Sequence, residues 1–188
     1  KYAVFAIMTM KPNIDTALLG ELAPLYFADA LKNVALILPG AGLEGENNPL
    51  FAGRSVPVTL KASSDGYTLT GKGLRPLGPG FNADLFGVVC ADKDAHVCLA
   101  FVPADAKGVK KGAPLKTTGL NACRNTDITF DKVKIPKGYL INREGVITEL
   151  YAWLNLLLGG TSIGGAMNFF EILTNWAENR TIKGKDIM

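Results

Sequence analysis

Gly119-Leu120-Asn121-Ala122-Cys123-Arg124-Asn125-Thr126-Asp127-Ile128-Thr129-Phe130-Asp131-Lys132-Val133-Lys134-Ile135-Pro136 is the stretch on which the fold turns. Ile128, Phe130 and Val133 supply one apolar face to a strand running from Asp127 to Ile135. Pro136 ends that strand, because a proline has no N–H to give to a ladder.

Upstream, from Val34 onward, short apolar runs are cut by Gly, Pro, Asn and Asp, the texture of strands and turns. The runs predict strands at Val34–Leu38, Val56–Ala62, Tyr67–Gly71, Leu85–Cys90 and Val97–Val102. Ser63-Ser64-Asp65-Gly66 is a turn by composition, with Gly66 able to take a positive φ, and Asp92-Lys93-Asp94 is another. So many strands with no helical period between most of them exclude a βαβ arrangement. The fold class is α+β: an antiparallel β-barrel or sandwich over residues 34–140, flanked by helices and followed by the first helices of an α-helical bundle.

Residues 1–33 read as helical or irregular pieces broken at Pro12 and Gly20, the end of a preceding helical domain. After Pro136 the texture changes again, and residues 141–188 read as the start of a C-terminal helical domain. Gly145 precedes a helix that begins near Thr148, with Glu149 in the first turn, where an anionic side chain suits the positive end of the helix dipole. The pattern runs through Trp176 to Arg180. Gly159 and Gly160 are expected to split or bend it, since each costs about 1 kcal/mol in a helix interior. From Leu150 to Phe170 there is no charged residue, a length sufficient to cross a bilayer. Asn155, Thr161, Ser162 and Asn168, with Gly159, Gly160, Gly164 and Gly165, favour instead a buried helix approached closely by another in a soluble oligomer, and not a membrane span.

The 188 residues are 48% hydrophobic and 20% charged, which excludes global disorder and leaves material for a substantial core. The net charge of +3 comes from scattered lysines. The densest run, Lys107, Lys110, Lys111 and Lys116, has no interleaved aromatic residue, so it reads as a solvated face and not as a nucleic-acid footprint. An anionic ligand such as a pyrophosphate remains compatible with it. Cys90, Cys98 and Cys123 are an odd count without metal-ligand spacing, and His96 is the one histidine, so neither a Cys/His metal cluster nor a catalytic triad is expected. Cys90 and Cys98 flank a hairpin turn and read as packed thiols in a cytosolic setting. A first residue Lys1 and a pattern still running at Met188 suggest a piece of a longer protein.

Residues 119–136 resemble, without a gap, the pattern Gly-x-Arg-x-Ser-x-Thr-x-x-x-x-Phe-Asp-x-Val-x-Val-Pro with which acyl-CoA dehydrogenases close their central β-domain. Gly119, Phe130, Asp131, Val133, Ile135 and Pro136 fit, whereas Asn121, Cys123 and Asn125 stand at the family's Arg, Ser and Thr. Residues 35–44, Ala-Leu-Ile-Leu-Pro-Gly-Ala-Gly-Leu-Glu, are similar to the family's Ala-Leu-Thr-Glu-Pro-x-Ala-Gly-Ser-Asp. Pro39, Ala41 and Gly42 match; Ile37 and Leu43 replace hydroxyl residues that in the family contact the flavin and a phosphate or CoA group, and Glu44 keeps only the charge of the Asp. Residues 71–84 resemble Gly-x-Lys-x-Trp-Ile-Thr-Asn-Gly-x-x-Ala-Asp, matching at Gly80, Ala83 and Asp84, but the loop from Pro76 to Pro79 offers neither the family's aromatic nor its hydroxyl. Trp176 to Ile187 is similar to Tyr-Ala-x-x-Arg-x-x-Phe-Gly-x-x-Ile, with Arg180 and Gly184 kept and Lys183 in place of the aromatic.

The resemblance, in four blocks across most of the chain, implies an FAD-dependent oxidoreductase acting on the CH–CH group of an acyl-CoA thioester. It implies that Arg180 binds the FAD pyrophosphate through its guanidinium fork, commonly across a subunit boundary. It implies further that the backbone of Leu77, Gly78 and Ile37 meets the flavin, since backbone groups do not depend on side-chain identity. The partners it implies are the acyl-CoA substrate, further copies of the chain in a homo-oligomer, and an electron-transfer flavoprotein, in the cytoplasm. A carboxylate base must take the substrate α-proton. In the family it lies on helices that would follow Met188, or at a seat falling here near Leu154 and Asn155, neither an acid; Glu149 reads as a helix-start residue. No catalytic residue is assigned. The changes at Ile37, Leu43, Asn121 and the Pro76 to Pro79 loop equally fit a flavin-free binding or assembly subunit that keeps the fold.

Overall fold

The computed structural model describes residues 33–39, 56–119 and 121–186. The helical pieces expected before residue 33, the segment Gly40 to Glu44, and Leu120, Ile187 and Met188 lie outside the described residues. The chain divides into two compact units with the boundary between Leu150 and Tyr151.

In the first unit β1 (Val34–Ile37), β2 (Thr59–Ser63), β3 (Gly66–Leu74), β4 (Leu85–Ala91), β5 (Val97–Pro103), β6 (Val109–Lys111), β7 (Ile128–Pro136) and β8 (Leu140–Ile141) form one curled sheet. Their order is β6-β7-β3-β2-β4-β5-β8, with β1 also paired to β4. Most pairings are antiparallel, as expected, but β1 and β2 both run parallel to β4, so the sheet is mixed. All the expected strands are present, β2 starting only at Thr59; β6 and β8 are additions too short to show an apolar period.

β4 and β5 are apolar along nearly their whole length because both of their faces are buried. Phe86, Val88, Cys90, Cys98, Ala100 and Val102 enter the main core cluster with Ala35, Ile37, Leu69, Phe130 and Val133. Leu85, Val89, Leu99 and Phe101, which alternate with them, are buried as well. In β7 both Phe130 and Val133 reach that cluster although they are three apart, which a regular strand forbids. Lys132 resolves the conflict with a φ of 52°, inserting a bulge that resets the phase. Gly108 lies against this kink and donates nothing bulky to it: its carbonyl accepts the Asp131 N–H at 2.9 Å, and a Cβ at residue 108 would overlap the Asp131 carbonyl oxygen.

A single helix, α1 (Val146–Glu178), begins in the first unit and runs through the second. Its first turn carries Glu149, as expected, paired with the Arg143 guanidinium. One expectation is corrected. The helix is continuous through Gly159 and Gly160, each with open space around it, so the propensity cost of two glycines does not break a helix of this length. Val146, Ile147, Leu150 and Leu154, at its start, are buried, whereas Leu156, Leu158, Ile163, Met167, Phe169, Phe170, Ile172, Leu173 and Trp176 stand exposed in the single chain. By length and composition α1 is apolar enough to cross a membrane. After it, β9 (Thr181–Ile182) and β10 (Lys185–Asp186) pair around Lys183 and Gly184, both at positive φ, a two-residue hairpin turn.

Candidate cofactor-facing site

Three of the four family-like blocks are joined in the first unit by hydrogen bonds. Leu36 and Leu77 bond each other reciprocally, N–H to carbonyl at 3.1 Å from Leu36 and 2.6 Å from Leu77. The Asn125 side-chain amide donates to the Pro76 carbonyl at 3.0 Å, and its Oδ1 accepts the Thr126 N–H at 2.9 Å. Asn125 stands where the family has Thr, and the longer amide reaches the proline loop while capping its own strand entry. Phe81 N–H donates to the Arg124 carbonyl at 3.1 Å, and the Arg124 guanidinium lies 4.6 Å from the Phe81 ring centroid. Thr126, fully buried, satisfies its hydroxyl on the Ala113 carbonyl at 2.9 Å.

The structure sorts the expected cofactor residues unequally. Ile37 is fully buried in the core cluster. Since Leu36 turns its backbone groups to Leu77, strand alternation turns those of Ile37 toward β4. The Leu77 N–H is committed to Leu36, but the Leu77 side chain is 51% exposed, and among the described residues the remaining large exposed apolar ones lie on α1 or at Ile182. Gly78 has a φ of 107°, open to glycine alone, and its N–H has no hydrogen bond among the described residues. Arg180 lies in the second unit, its guanidinium 4.8 Å from the Trp176 ring centroid.

Residues that sequence reading passed over hold this loop. Lys111, read as one of a solvated run, donates to the carbonyls of Phe81 at 3.1 Å and Ala83 at 2.7 Å. Asn33 donates its side-chain amide to the Asn82 carbonyl at 3.2 Å and its N–H to Asp84 Oδ2 at 2.7 Å. Neither residue falls in a family-like block, and a single polar residue beside a strand gives no periodic signal.

At the β4–β5 turn, ligand atoms of Asp92, Asp94 and His96 lie within 4.8 Å of one another. The arrangement is accounted for by the turn: Asp92 Oδ1 accepts the N–H groups of Asp94 and His96, both at 2.9 Å, and Oδ2 lies 3.3 Å from the His96 ring. Burial pushes the Asp92 carboxyl up, but these donors together hold it below the usual range. A cavity of about 600 Å³, lined by His96, Asn142, Arg143 and the first residues of α1, shares no residue with the Leu77 and Gly78 surface.

No protein-family model and no curated protein matches the sequence. Solved structures do match. The acyl-CoA dehydrogenase from Geobacillus kaustophilus is 22% identical with a TM-score of 0.67, over 83% of this chain and 42% of that one. A glutaryl-CoA dehydrogenase from Mycobacterium smegmatis in complex with FADH2 is 16% identical with a TM-score of 0.77, over 98% of this chain and 46% of that one. PigA, in a structure with FAD and proline, is 19% identical with a TM-score of 0.78, over 98% of this chain and 47% of that one. The chain spans about half the length or less of the structures it matches. Its fold is that of the acyl-CoA dehydrogenase structures, comprising their middle β-domain and the start of their helical domain.

A flavin ring needs an apolar surface beneath its face and hydrogen-bonding groups at its edge. The exposed Leu77 side chain and the Gly78 N–H, which has no hydrogen bond among the described residues, offer such a pair on a loop held from both sides. The residues fit the group through these two positions, and not through Ile37 or the Leu77 N–H.

Proposed function

We propose that this chain is part of an FAD-dependent oxidoreductase acting on the CH–CH group of an acyl-CoA thioester. The observation that carries this reading is the joining of the three blocks by the Leu36–Leu77 and Asn125–Pro76 bonds, with Gly78 left to meet a ring edge. Arg180 is assigned to the FAD pyrophosphate, for which a guanidinium fork suits paired phosphate oxygens. FAD, when bound, supplies the hydride acceptor for α,β-dehydrogenation. The chain's own part is to bind and orient it: Leu77 by apolar contact, Gly78 by one N–H, Arg180 by charge. The carboxylate that takes the α-proton is not among the residues at its alternative seat, which are Leu154 and Asn155. Further copies of the chain, a cytoplasmic location and an electron-transfer flavoprotein as acceptor belong to the same proposal.

The Leu77 N–H already spent on Leu36 and the buried Ile37 favour a second reading, a flavin-free binding or assembly subunit. A visible absorbance scan of the purified full-length protein, with and without added FAD and then with acyl-CoA, separates the two. Flavin bands that bleach on adding acyl-CoA are expected. A protein that stays colourless after FAD addition would establish the flavin-free subunit instead.

A further inference from the structure

Lys110 and Lys111 are neighbours on β6 with opposite environments. Lys110 is exposed and its Nζ donates to Asp131 Oδ2 at 2.9 Å. Successive side chains on a strand take opposite faces, so Lys111 turns the other way. There it is half-buried, with its ammonium 5.8 Å from the Phe86 ring centroid and donating to the carbonyls of Phe81 and Ala83 at 3.1 and 2.7 Å. Removing an ammonium from water is costly unless it finds acceptors, and these carbonyls supply them. The benefit is mutual. Phe81 and Ala83 lie in a loop outside the ladders, and Lys111 takes both of their carbonyls, while Asn33 takes that of Asn82 between them.

The held turn is tied to the proposed ring edge. Gly80 N–H donates to the Gly78 carbonyl at 2.9 Å, and a Cβ at residue 80 would lie 2.5 Å from Pro76 Cγ. Residue 80 is therefore packed directly on the loop that presents Gly78, and movement of residues 81–83 displaces it. Resting on the flavin reading, we propose that Lys111 is a positioning residue: its ammonium locks the Phe81 to Ala83 turn and thereby fixes the Leu77 and Gly78 edge for the cofactor.

Three variants of the full-length protein test this. Lys111→Met keeps the stem but deletes the donors; Lys111→Arg keeps a cation with donors; Lys110→Met removes the neighbouring charge. FAD affinity is read by fluorescence titration, and amide hydrogen exchange is read over residues 77–83. Hydrogen bonds to a charged group predict FAD binding roughly tenfold to a hundredfold weaker in Lys111→Met, with faster exchange in the loop. Lys111→Arg restores most of both, and Lys110→Met changes neither. Wild-type affinity in a folded Lys111→Met, or no rescue by a folded Lys111→Arg, overturns the proposal. Should the wild type take up no FAD, the flavin reading fails by itself, and unchanged loop exchange in Lys111→Met then overturns the latch. If Lys111→Met does not fold, Lys111→Gln, which retains a neutral donor, is read by the same two measurements.

Discussion

Leu36 and Leu77 form a two-residue antiparallel bridge, each donating its N–H to the other's carbonyl at 3.1 and 2.6 Å. The bridge lays a proline-flanked loop along the free edge of β1, and it divides Leu77 into two functions. Its backbone belongs to the fold, and its half-exposed side chain belongs to the surface. Leu77→Ala should therefore leave stability within about 0.5 kcal/mol of wild type, as for an exposed position, while weakening FAD binding. Leu77→Pro deletes the N–H and orphans the Leu36 carbonyl, at a cost of about 1–3 kcal/mol. Urea unfolding beside an FAD titration checks both, and equal stability losses would refute the division.

Asn125 bonds the same loop from the other side. Asn125→Ala leaves the carbonyl of Pro76, a buried residue, without its donor and removes the acceptor of the Thr126 N–H. A loss of about 1–3 kcal/mol in unfolding free energy is expected from unsatisfied buried groups. A fall in denaturation midpoint too small to measure would show that water replaces the amide.

Gly108 is the position where backbone approach decides the outcome. Its φ is 98°, and any Cβ would collide with the Asp131 carbonyl opposite the Lys132 bulge. Gly108→Ala combines a disfavoured backbone with that overlap, so a loss of at least about 1–3 kcal/mol is expected. Thermal melting checks it, and a wild-type transition would mean that the β6–β7 pairing shifts to make room.

The strands were legible because burial on one or both faces writes itself into the sequence: the apolar runs of Leu85–Ala91 and Val97–Pro103 needed no context. The bulge at Lys132 was not, since a lysine at positive φ carries no local signature and only the spacing of Phe130 and Val133 hints at it. The loop at Leu77 and Gly78 was found through resemblance, but the sequence could not show that the Leu77 N–H was already used. What covers the exposed apolar residues of α1 was not legible. An apolar helix announces that it needs cover, and composition does not say what provides it.

Cys90 and Cys98 stand opposite each other in the β4–β5 register and are free, buried thiols. Burial, then the neighbouring Cys98 and Asp92, pushes the Cys90 thiol far above its ordinary value; burial and then Asp92 raise that of Cys98. The reactive thiolate is thus suppressed at both. A thiol reagent at mildly alkaline pH should label Cys123, which is half-exposed, ahead of the other two, with all three cysteines labelled in denaturant. Rapid labelling of Cys98 in the folded protein would show that β5 opens locally.

The Lys110 side chain, by hydrogen bond and then by charge, holds the Asp131 carboxyl below the ordinary aspartate range. A depressed folded-state pKa contributes stability above the unfolded value, near about 3.9, and loses it as pH falls through the folded value. At neutral pH the pair is therefore fully in force, and its contribution fades only in acid. Both side chains are exposed, so the contribution is small and salt-screened. Lys110→Met should return the Asp131 titration, followed by NMR, toward the ordinary value and reduce the loss of stability below about pH 4. High salt should shift the wild type in the same direction. An Asp131 titration unmoved by Lys110→Met would assign the depression to Lys132 and Lys72, the other charges acting on it.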